Sequence, residues 1–261
     1  MQHLSGEALL DALERGEVRA ATPGADGWQV HAWVKQGILD IFRSSPVVAM
    51  DGSGLAHSPS PFRDKMAFPV RAWDAASEVR VVPGGSAIRR GAYLGPGVVC
   101  MPPMYVNVGA HIGAGSMIDS HALVGSCAQV GEDVHVSAAV QIGGVLEPIG
   151  AQPVIVEDGA FLGGGVGLYE GICIGRRAVL AAGVILTAST RVFDLVHEVE
   201  LRGQGDAPLR IPENAVVVPG SRPAGGDFAQ RLGLALGCAV IVKYRDSKTD
   251  ANLALEQALR G

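Results

Sequence analysis

The chain has few of the features that mark an aromatic-rich core, a membrane protein or a nucleic-acid binder. Aromatic residues make up 5% of its 261 residues, which is little for a core built around large rings. The formal net charge is −5 and Lys and Arg form no cluster, which argues against a nucleic-acid partner. No apolar run reaches the length of a membrane span, and the polar start MQHLSGEALLDALERGE does not resemble a signal peptide. We therefore expect a cytoplasmic location.

Cysteine is also scarce, and its placement predicts neither disulfides nor zinc. The four cysteines form no CxxC pair and no metal-ligand spacing; they are Cys100, Cys127, Cys173 and Cys238. We expect Cys100 to serve as a small apolar side chain.

Glycine is abundant instead, and apolar residues recur with a period of six. Glycine occurs 36 times. An aliphatic or near-aliphatic residue occupies every sixth position in two series: Val82, Ile88, Leu94, Cys100, Val106, Ile112, Ile118, Val124, Val130, Val136 and Ile142, then Val156, Leu162, Leu168, Ile174, Leu180, Leu186 and Val192. A small or apolar residue usually lies two positions before each of them, and Gly often follows. Neither the helical period nor strand alternation produces this pattern.

This period predicts a mainly β fold, a parallel β-helix of hexapeptide repeats. Three hexads make a triangular coil of about 18 residues, and each hexad supplies one short strand and one turn. The periodic residues should point inward and stack in columns, with Ile112, Ile118, Val124 and Val130 among them. The Gly that follows should allow a tight bend without a Cβ clash. Single repeats are marginal, so stability comes from stacking.

The same pattern suggests three parts. Residues 1–79 are predicted to form a mainly helical cap, with helices near residues 5–15 and from Gly27 to Arg43. Residues 80–222 should form the β-helix, with excursions at 146–153 and 193–210. The segment 211–223 should return as a partial coil. Residues 223–261 are a predicted extension with a strand at 238–243 and a short helix, and the Gly-, Ser- and Pro-rich segment Met50–Pro61 should be loop.

The segment Met101–Pro153, with its VGSCAQVG and GGVLEP motifs, closely resembles tetrahydrodipicolinate N-succinyltransferases. Counterparts occur in order along nearly the whole chain, including WQVHAWVKQGILDIFR in the cap and VILTASTRVFD near the end. The resemblance implies a left-handed β-helix with an N-terminal helical cap, assembled as a homotrimer. It also implies that a coenzyme A thioester, succinyl-CoA or acetyl-CoA, donates an acyl group to tetrahydrodipicolinate or a related amino-dicarboxylate.

Three stretches depart from the family pattern. The family's MVDTW is MIDSH here, which keeps the acid as Asp119 and places His121 where the family has Trp. The family's GARSEVVEG is GGGVGLYEG, so Gly165, Val166 and Gly167 stand where the family has Arg, Ser and a catalytic Glu. In the tail, Asp250 and Asn252 stand where the family has basic residues near the coenzyme phosphates.

Three side chains are predicted to be catalytic. Asp119 follows an inward residue, so its carboxylate should project from a coil corner, where it either accepts the amine proton or caps a turn N–H. His121 is either a neutral general base or an exposed turn residue. Glu170 is the second, retained Glu of the altered stretch.

The predicted binding residues divide between acceptor and coenzyme. Acceptor binding is assigned to Arg89 or Arg90, because guanidinium binds carboxylate through two bonds, and to Met117, Ser126 and Gly167; a structural role for the arginines stays open. Glu147 is expected to order the excursion at 146–153. Coenzyme binding is assigned to Gly143 and Gly144, where pantetheine can approach the backbone, and to Ala182, Ser189, Thr190 and Lys243, the last as a phosphate partner.

No metal site is predicted. His111, His121 and His135 lie 10 and 14 residues apart, which places them on different faces of a three-sided coil.

Three functions stay open from the sequence. The first is N-acylation of tetrahydrodipicolinate or a close relative. The second is acyl transfer to a changed acceptor in secondary metabolism, since tabtoxin-type β-lactam biosynthesis uses a protein resembling this succinyltransferase. The third is a catalytically silent trimer that binds coenzyme A or an anionic metabolite.

Overall fold

The computed structural model describes residues 3–25, 27–50, 62–74, 76–203 and 207–246. The N-terminal part contains two helices and two antiparallel strand pairs, in the order α1 Gly6–Glu14, β1 Ala21–Gly24, β2 Gly27–Val30, α2 Ala32–Ser44, β3 Val47–Met50 and β4 Phe62–Lys65. The helix predicted near residues 5–15 is confirmed as α1. Residues 51–61 of the predicted loop lie outside the described residues.

The second helix begins later than the predicted start at Gly27. It begins at Ala32, and Gly27–Val30 instead pairs with Ala21–Gly24 as a hairpin. The pairing satisfies the backbone groups of both strands and lets Trp28 pack against Ile155 and Cys173 of the solenoid. The apolar residues of this stretch therefore belong to a strand up to Val30 and to a helix from Ala32 onward.

From β5 to β21 every strand is two residues long and belongs to the solenoid. In chain order these strands are Arg80–Val81, Ala87–Ile88, Tyr93–Leu94, Val99–Cys100, Tyr105–Val106, His111–Ile112, Met117–Ile118, Leu123–Val124, Gln129–Val130, His135–Val136, Gln141–Ile142, Ile155–Val156, Phe161–Leu162, Gly167–Leu168, Cys173–Ile174, Val179–Leu180 and Ile185–Leu186.

These strands stack in parallel into three faces. The first face contains β5, β8, β11, β14, β17 and β20, the second contains β6, β9, β12, β15, β18 and β21, and the third contains β7, β10, β13, β16 and β19. Each strand pairs with its equivalent one coil later, as Ile112 does with Val130. The parallel β-helix predicted from the period is confirmed.

The predicted inward columns form the core. Ile112, Ile118, Val124 and Val130 are fully buried, and the other periodic positions from Ile88 to Val192 are buried as well. The exception is Val82. Val81 pairs with Cys100 and packs on the core, so the first strand is one residue out of the predicted frame. The N-terminal helices pack beside the first coils, where Leu9, Leu10 and Ile38 contact Val108 and Cys127 at the edge between the second and third faces.

The glycines that follow inward residues allow close packing between coils rather than bending. A Cβ on Gly125 would lie 2.1 Å from the backbone nitrogen of Gly144 in the next coil. The left-handed turn residue lies two positions further on, as at Gly115 (φ 68°) and His121 (φ 63°). The predicted role of the first glycine in bending is therefore wrong, and its role in avoiding a Cβ clash is confirmed.

The solenoid is interrupted where the sequence predicts, at residues 146–153. Val130 pairs with Val156 rather than with a residue 18 positions on, so the loop is accommodated without loss of register. The amine of Lys35, a fully buried residue of α2, donates to the carbonyl oxygen of Ala151 at 2.6 Å and fixes the loop to the cap.

The C-terminal part is more regular than predicted. Its elements are β22 Val192–Asp194, β23 Val199–Leu201, β24 Arg210–Ile211, β25 Ala215–Pro223, α3 Asp227–Arg231 and β26 Ala235–Tyr244. The predicted excursion at 193–210 begins as the antiparallel pair β22–β23, and β24 returns to the third face. The strand predicted at 238–243 begins at Ala235. Residues 247–261, which include the predicted final helix, lie outside the described residues.

Strand β25 starts as a coil strand and ends as a hairpin. Val216 and Val217 pair with β20 on the first face, and the rest pairs antiparallel with β26. The predicted partial coil is thus limited to β24 and the beginning of β25. Across the described ranges, no helix is long and apolar enough to cross a membrane.

Candidate active site

The predicted site residues lie on two different corners of the solenoid. We call the turns from the first to the second face the first corner, those from the second to the third face the second corner, and those from the third back to the first face the third corner. Asp119, His121 and Ala182 lie at the first corner. Those at the second corner are Arg89, Arg90, Ser126, Gly143, Gly144, Glu170, Ser189 and Thr190. Met117 lies on the first face and Gly167 on the second.

At the first corner, Asp119 is half-buried and its carboxylate Oδ1 accepts the N–H of Ser120 at 2.7 Å. This is the turn-capping bond expected of an acid in this position. His121 is exposed and occupies the left-handed turn position, while its backbone N–H donates to Pro103 of the preceding coil. The turn geometry accounts for the placement of both residues and leaves Asp119 oriented at the corner.

The second corner opens into a cleft of about 1060 Å³. Gly143, Gly144 and Glu170 line it, so two predicted coenzyme residues and one predicted catalytic residue meet there. The loop at 146–153 forms one wall through Glu147, Pro148 and neighbouring residues. Gly203, Ala207 and Pro208 form another. A wide cleft with backbone exposed at glycines suits a long, narrow ligand that carries amide groups.

Several predicted residues of this corner also order its turns. Glu170 is exposed, and its Oε2 accepts the N–H of Ala188 at 2.8 Å. The hydroxyls of Ser189 and Thr190 each lie 3.1 Å from Thr187 Oγ1. These bonds hold the segment 187–190 in place beside the cleft.

Tyr169 covers Gly167, the position at which the resemblance implies a Glu. A Cβ on Gly167 would lie 2.8 Å from Cε2 and 3.2 Å from the hydroxyl of Tyr169, and 2.9 Å from Cδ1 of Ile185. A Cβ on Gly143 would lie 3.0 Å from Cδ1 of the same ring. The ring therefore fills the space on the second face that a side chain at Gly167 would need.

The two arginines predicted for the acceptor are engaged within the chain. Arg89 forms an ion pair with Asp64, and its guanidinium lies 5.2 Å from the ring centroids of Phe42 and Phe68. Arg90 pairs with Glu7 at 2.6 Å and Asp11 at 2.8 Å. Both fasten the N-terminal segment to the first coils, which is the structural alternative left open by the sequence.

The remaining predicted residues are scattered. Lys243 lies on β26 and pairs with Asp246 at 3.1 Å. Met117 and Ser126 are half-buried, Ala182 is exposed, and Asp250 and Asn252 lie outside the described residues. His111 and His135 lie on the third and first faces, as predicted. Within the described ranges, no group of three or more His, Cys, Asp or Glu residues is placed to hold a metal ion.

Comparison with known proteins agrees with this geometry. A family described as "Tetrahydrodipicolinate N-succinyltransferase N-terminal" matches residues 7–43, and "Hexapeptide repeat of succinyl-transferase" matches residues 153–188. A 2,3,4,5-tetrahydropyridine-2,6-dicarboxylate N-succinyltransferase of Paramagnetospirillum magneticum is 43% identical, over 97% of this chain and 88% of its own. One from Xylella fastidiosa is 40% identical, over 97% and 87%. The chain belongs to the tetrahydrodipicolinate N-succinyltransferase family.

The fold class is that of this family, a left-handed parallel β-helix preceded by a cap with two helices. Two residues that shape the site and its surrounding loop in this family member were not predicted from the sequence. Tyr169 could have been found as the single aromatic residue between Gly163 and Gly171. Lys35 lies beside Val34 and near Ile38 on the buried side of α2, and a lone Lys in such a stripe is the only signal.

Proposed function

We propose that the chain is a coenzyme A-dependent N-acyltransferase that transfers a succinyl group to the nitrogen of tetrahydrodipicolinate or a closely related amino-dicarboxylate. The observation that carries the proposal is the 1060 Å³ cleft at the second corner, lined by Gly143 and Gly144, in a chain whose relatives bear this activity in their names. The exposed glycine backbone gives a pantetheine arm amide partners along the coil edges.

The chemistry requires one proton acceptor. The acceptor nitrogen attacks the thioester carbonyl, a C–N bond forms, the C–S bond breaks, and the coenzyme leaves as a thiol. The nitrogen loses a proton as the tetrahedral intermediate forms, and a positioned carboxylate accelerates this transfer. Asp119 is proposed for this role because its carboxylate is half-buried and held by the Ser120 N–H. His121 and Glu170 are the alternative proton acceptors.

The separation of the two corners supports a shared site. Asp119 follows a first-face strand and the cleft follows second-face strands, so one coil presents them on different edges of the prism. Two prisms packed side by side can bring the first corner of one against the second corner of the other. We therefore propose a homotrimer with each site at a boundary between subunits.

The activity is tested by thiol release from succinyl-CoA and acetyl-CoA with a panel of amino-dicarboxylates. We expect release from succinyl-CoA that depends on both the acceptor and Asp119. Ala188→Trp, which places an indole in the cleft, should raise the KM for the thioester. Coenzyme binding without release for any acceptor would overturn the proposal and support the catalytically silent trimer.

A changed acceptor is the second candidate function, and Tyr169 favours it. Gly165 at the first corner and Gly167 on the second face stand where the family has Arg and Glu, and the Tyr169 ring fills part of the space at Gly167. An acceptor with one carboxylate fewer, or with an apolar portion against the ring, would fit this altered surface.

Restoring the family residues separates the two candidates. Gly165 has open space around a Cβ, although its φ of 68° is costly for Arg, and Gly167→Glu needs Tyr169→Val to make room. Val166 is fully buried and is left unchanged, so that the variant adds no hydroxyl to the core. We expect the triple variant Gly165→Arg, Gly167→Glu, Tyr169→Val to gain activity on tetrahydrodipicolinate. No gain of activity on that acceptor, with coenzyme still bound, would support a site remade for another one.

A further inference from the structure

A second cleft lies between the third face of the solenoid and the β1–β2 hairpin of the cap. Its volume is about 650 Å³. Trp28 and Pro23 line it from the hairpin, Tyr93 and His111 from the third face, and Arg176 from the third corner. It shares no lining residue with the cleft at the second corner.

Arg19 places a cation with unused donors in this cleft. Its Nε donates to Gln129 Oε1 at 2.9 Å, and its guanidinium carbon lies 5.6 Å from the centroid of the Trp28 ring. Within the described part of the chain, its two terminal nitrogens make no hydrogen bond. Burial lowers the pKa of Arg19, but an arginine retains its charge in proteins. A guanidinium with a free edge is a fitting partner for a carboxylate.

His111 adds a neutral group beside it. The imidazole stacks on Tyr93 with ring centroids 4.4 Å apart. Burial, aided by the charge of Arg19, lowers the pKa of His111 to about 3, so the ring is neutral near pH 7. Its Nδ1 is buried and has no hydrogen-bond partner among the described residues, which is a desolvation cost built into this wall of the cleft.

The acidic residues of the cleft are mostly paired. Glu157 accepts two bonds from Arg210 and one from the Trp28 indole at 3.0 Å, and Asp158 pairs with Arg176. The carboxylate of Glu132 is exposed at the edge and has no partner in the described ranges. After pairing, the cleft retains one cation inside, one anion at the edge, and aromatic walls between them.

We infer that this cleft binds a small amino acid, with its carboxylate on the terminal nitrogens of Arg19, its carbon chain along the Trp28 and Tyr93 rings, and its ammonium group toward Glu132. One interior cation matches one carboxylate, and the edge carboxylate disfavours a dianion. Because the ligand contacts both the cap hairpin and the third face, binding stabilises their association.

The inference is tested with four six-carbon probes: 2-aminohexanoate, hexanoate, hexanedioate and hexylamine. Binding is followed by calorimetry and by fluorescence in a Trp33→Phe, Trp73→Phe variant, which leaves Trp28 as the only tryptophan. We expect 2-aminohexanoate to bind most tightly, hexanoate more weakly, and hexanedioate and hexylamine at least tenfold more weakly than 2-aminohexanoate. Arg19→Gln should weaken 2-aminohexanoate at least tenfold, whereas Arg15→Gln, on an exposed Arg of the cap, should leave it unchanged.

Two controls keep the outcome clear. Should Arg19→Gln fail to fold, Arg19→Lys retains the charge but not the two-nitrogen edge, and it should still weaken 2-aminohexanoate several-fold. Binding should persist in Ala188→Trp, which fills the other cleft. Equal binding of hexylamine, loss of binding in Ala188→Trp, or unchanged affinity in folded Arg19→Gln or Arg19→Lys would overturn the inference.

Discussion

The glycines of the repeat occupy two kinds of position with different demands. At the left-handed turn position, residues such as His121 and Cys127 replace Gly at a modest conformational cost. At the position directly after the inward residue, the limit is space, because the backbone of the next coil lies against the missing side chain.

Gly125→Ala should therefore be strongly destabilising. The added Cβ would lie 2.1 Å from N and 2.5 Å from Cα of Gly144, both of them backbone atoms. We expect a loss of about 3 kcal/mol in the free energy of unfolding, at the upper end of the usual overpacking cost. Chemical denaturation measures it. Gly237→Ala is the matched control, since nothing lies within 4 Å of its Cβ, and an equal loss there would contradict the explanation.

Asp119→Asn tests the proposed proton acceptor. Asn can still accept the Ser120 N–H, so the corner should fold normally while the basic group is lost. We expect turnover to fall by roughly two to four powers of ten, the usual range for loss of a general base. Steady-state thiol release gives the rate and thermal unfolding checks the fold. Unchanged turnover would transfer the role to His121 or Glu170.

At the residue scale the sequence predicts positions better than roles. The corner placement of Asp119 follows from its slot in the hexad. The engagement of Arg89 and Arg90 with the cap does not, because Asp64, Glu7 and Asp11 are distant in sequence and no period connects them. The Tyr169 ring over Gly167 likewise depends on a side-chain conformation.

Secondary-structure elements also divide into those that the sequence predicts and those that depend on distant contacts. The solenoid strands could be predicted because a six-residue period is enforced by every coil, and the frame failed only at Val82, where no earlier coil constrains it. The hairpins β1–β2, β22–β23 and β25–β26 lie outside the period. Their pairing partners are set by packing on the cap or solenoid, which the sequence does not display.

The β22–β23 turn is held by Asp194, and this gives a pH prediction. Burial by itself raises the pKa of Asp194. Hydrogen bonds from Tyr244, His197 and the Val196 N–H outweigh it and bring the pKa from 3.8 to about 2. Because the folded pKa is depressed, the stabilisation is present above pH 3.8 and is lost as pH falls toward 2.

Asp194→Asn should accordingly flatten the fall in unfolding free energy between pH 4 and pH 2. The variant should also be less stable than the parent at pH 7. Thermal unfolding across this pH range measures both effects. Asp227→Asn, at an exposed carboxylate, is the control, and an Asp194→Asn curve parallel to that of the parent would contradict the assignment.

At the scale of the whole molecule, assembly is the property to test. Light scattering should give three times the chain mass of 26.9 kDa. Asp119→Asn removes a first-corner group and Ala188→Trp fills the second-corner cleft. Because each proposed site uses one corner from each of two subunits, trimers refolded from a mixture of these two impaired variants should regain part of the activity lost at low thioester concentration. No regain in verified mixed trimers would place both corners of a site in one chain.

The register of the strands has a consequence for how such a chain can change in length. Each inward residue stacks on the one a whole coil earlier, as Val124 does on Val106, and even the loop at 146–153 leaves this correspondence intact. Insertion or deletion of a complete turn would lengthen or shorten the prism by about 4.8 Å and disturb nothing else along its axis. A single inserted residue in a strand would turn the core outward. The axial distance between the cap and the C-terminal hairpin β25–β26 can therefore change only by whole coils.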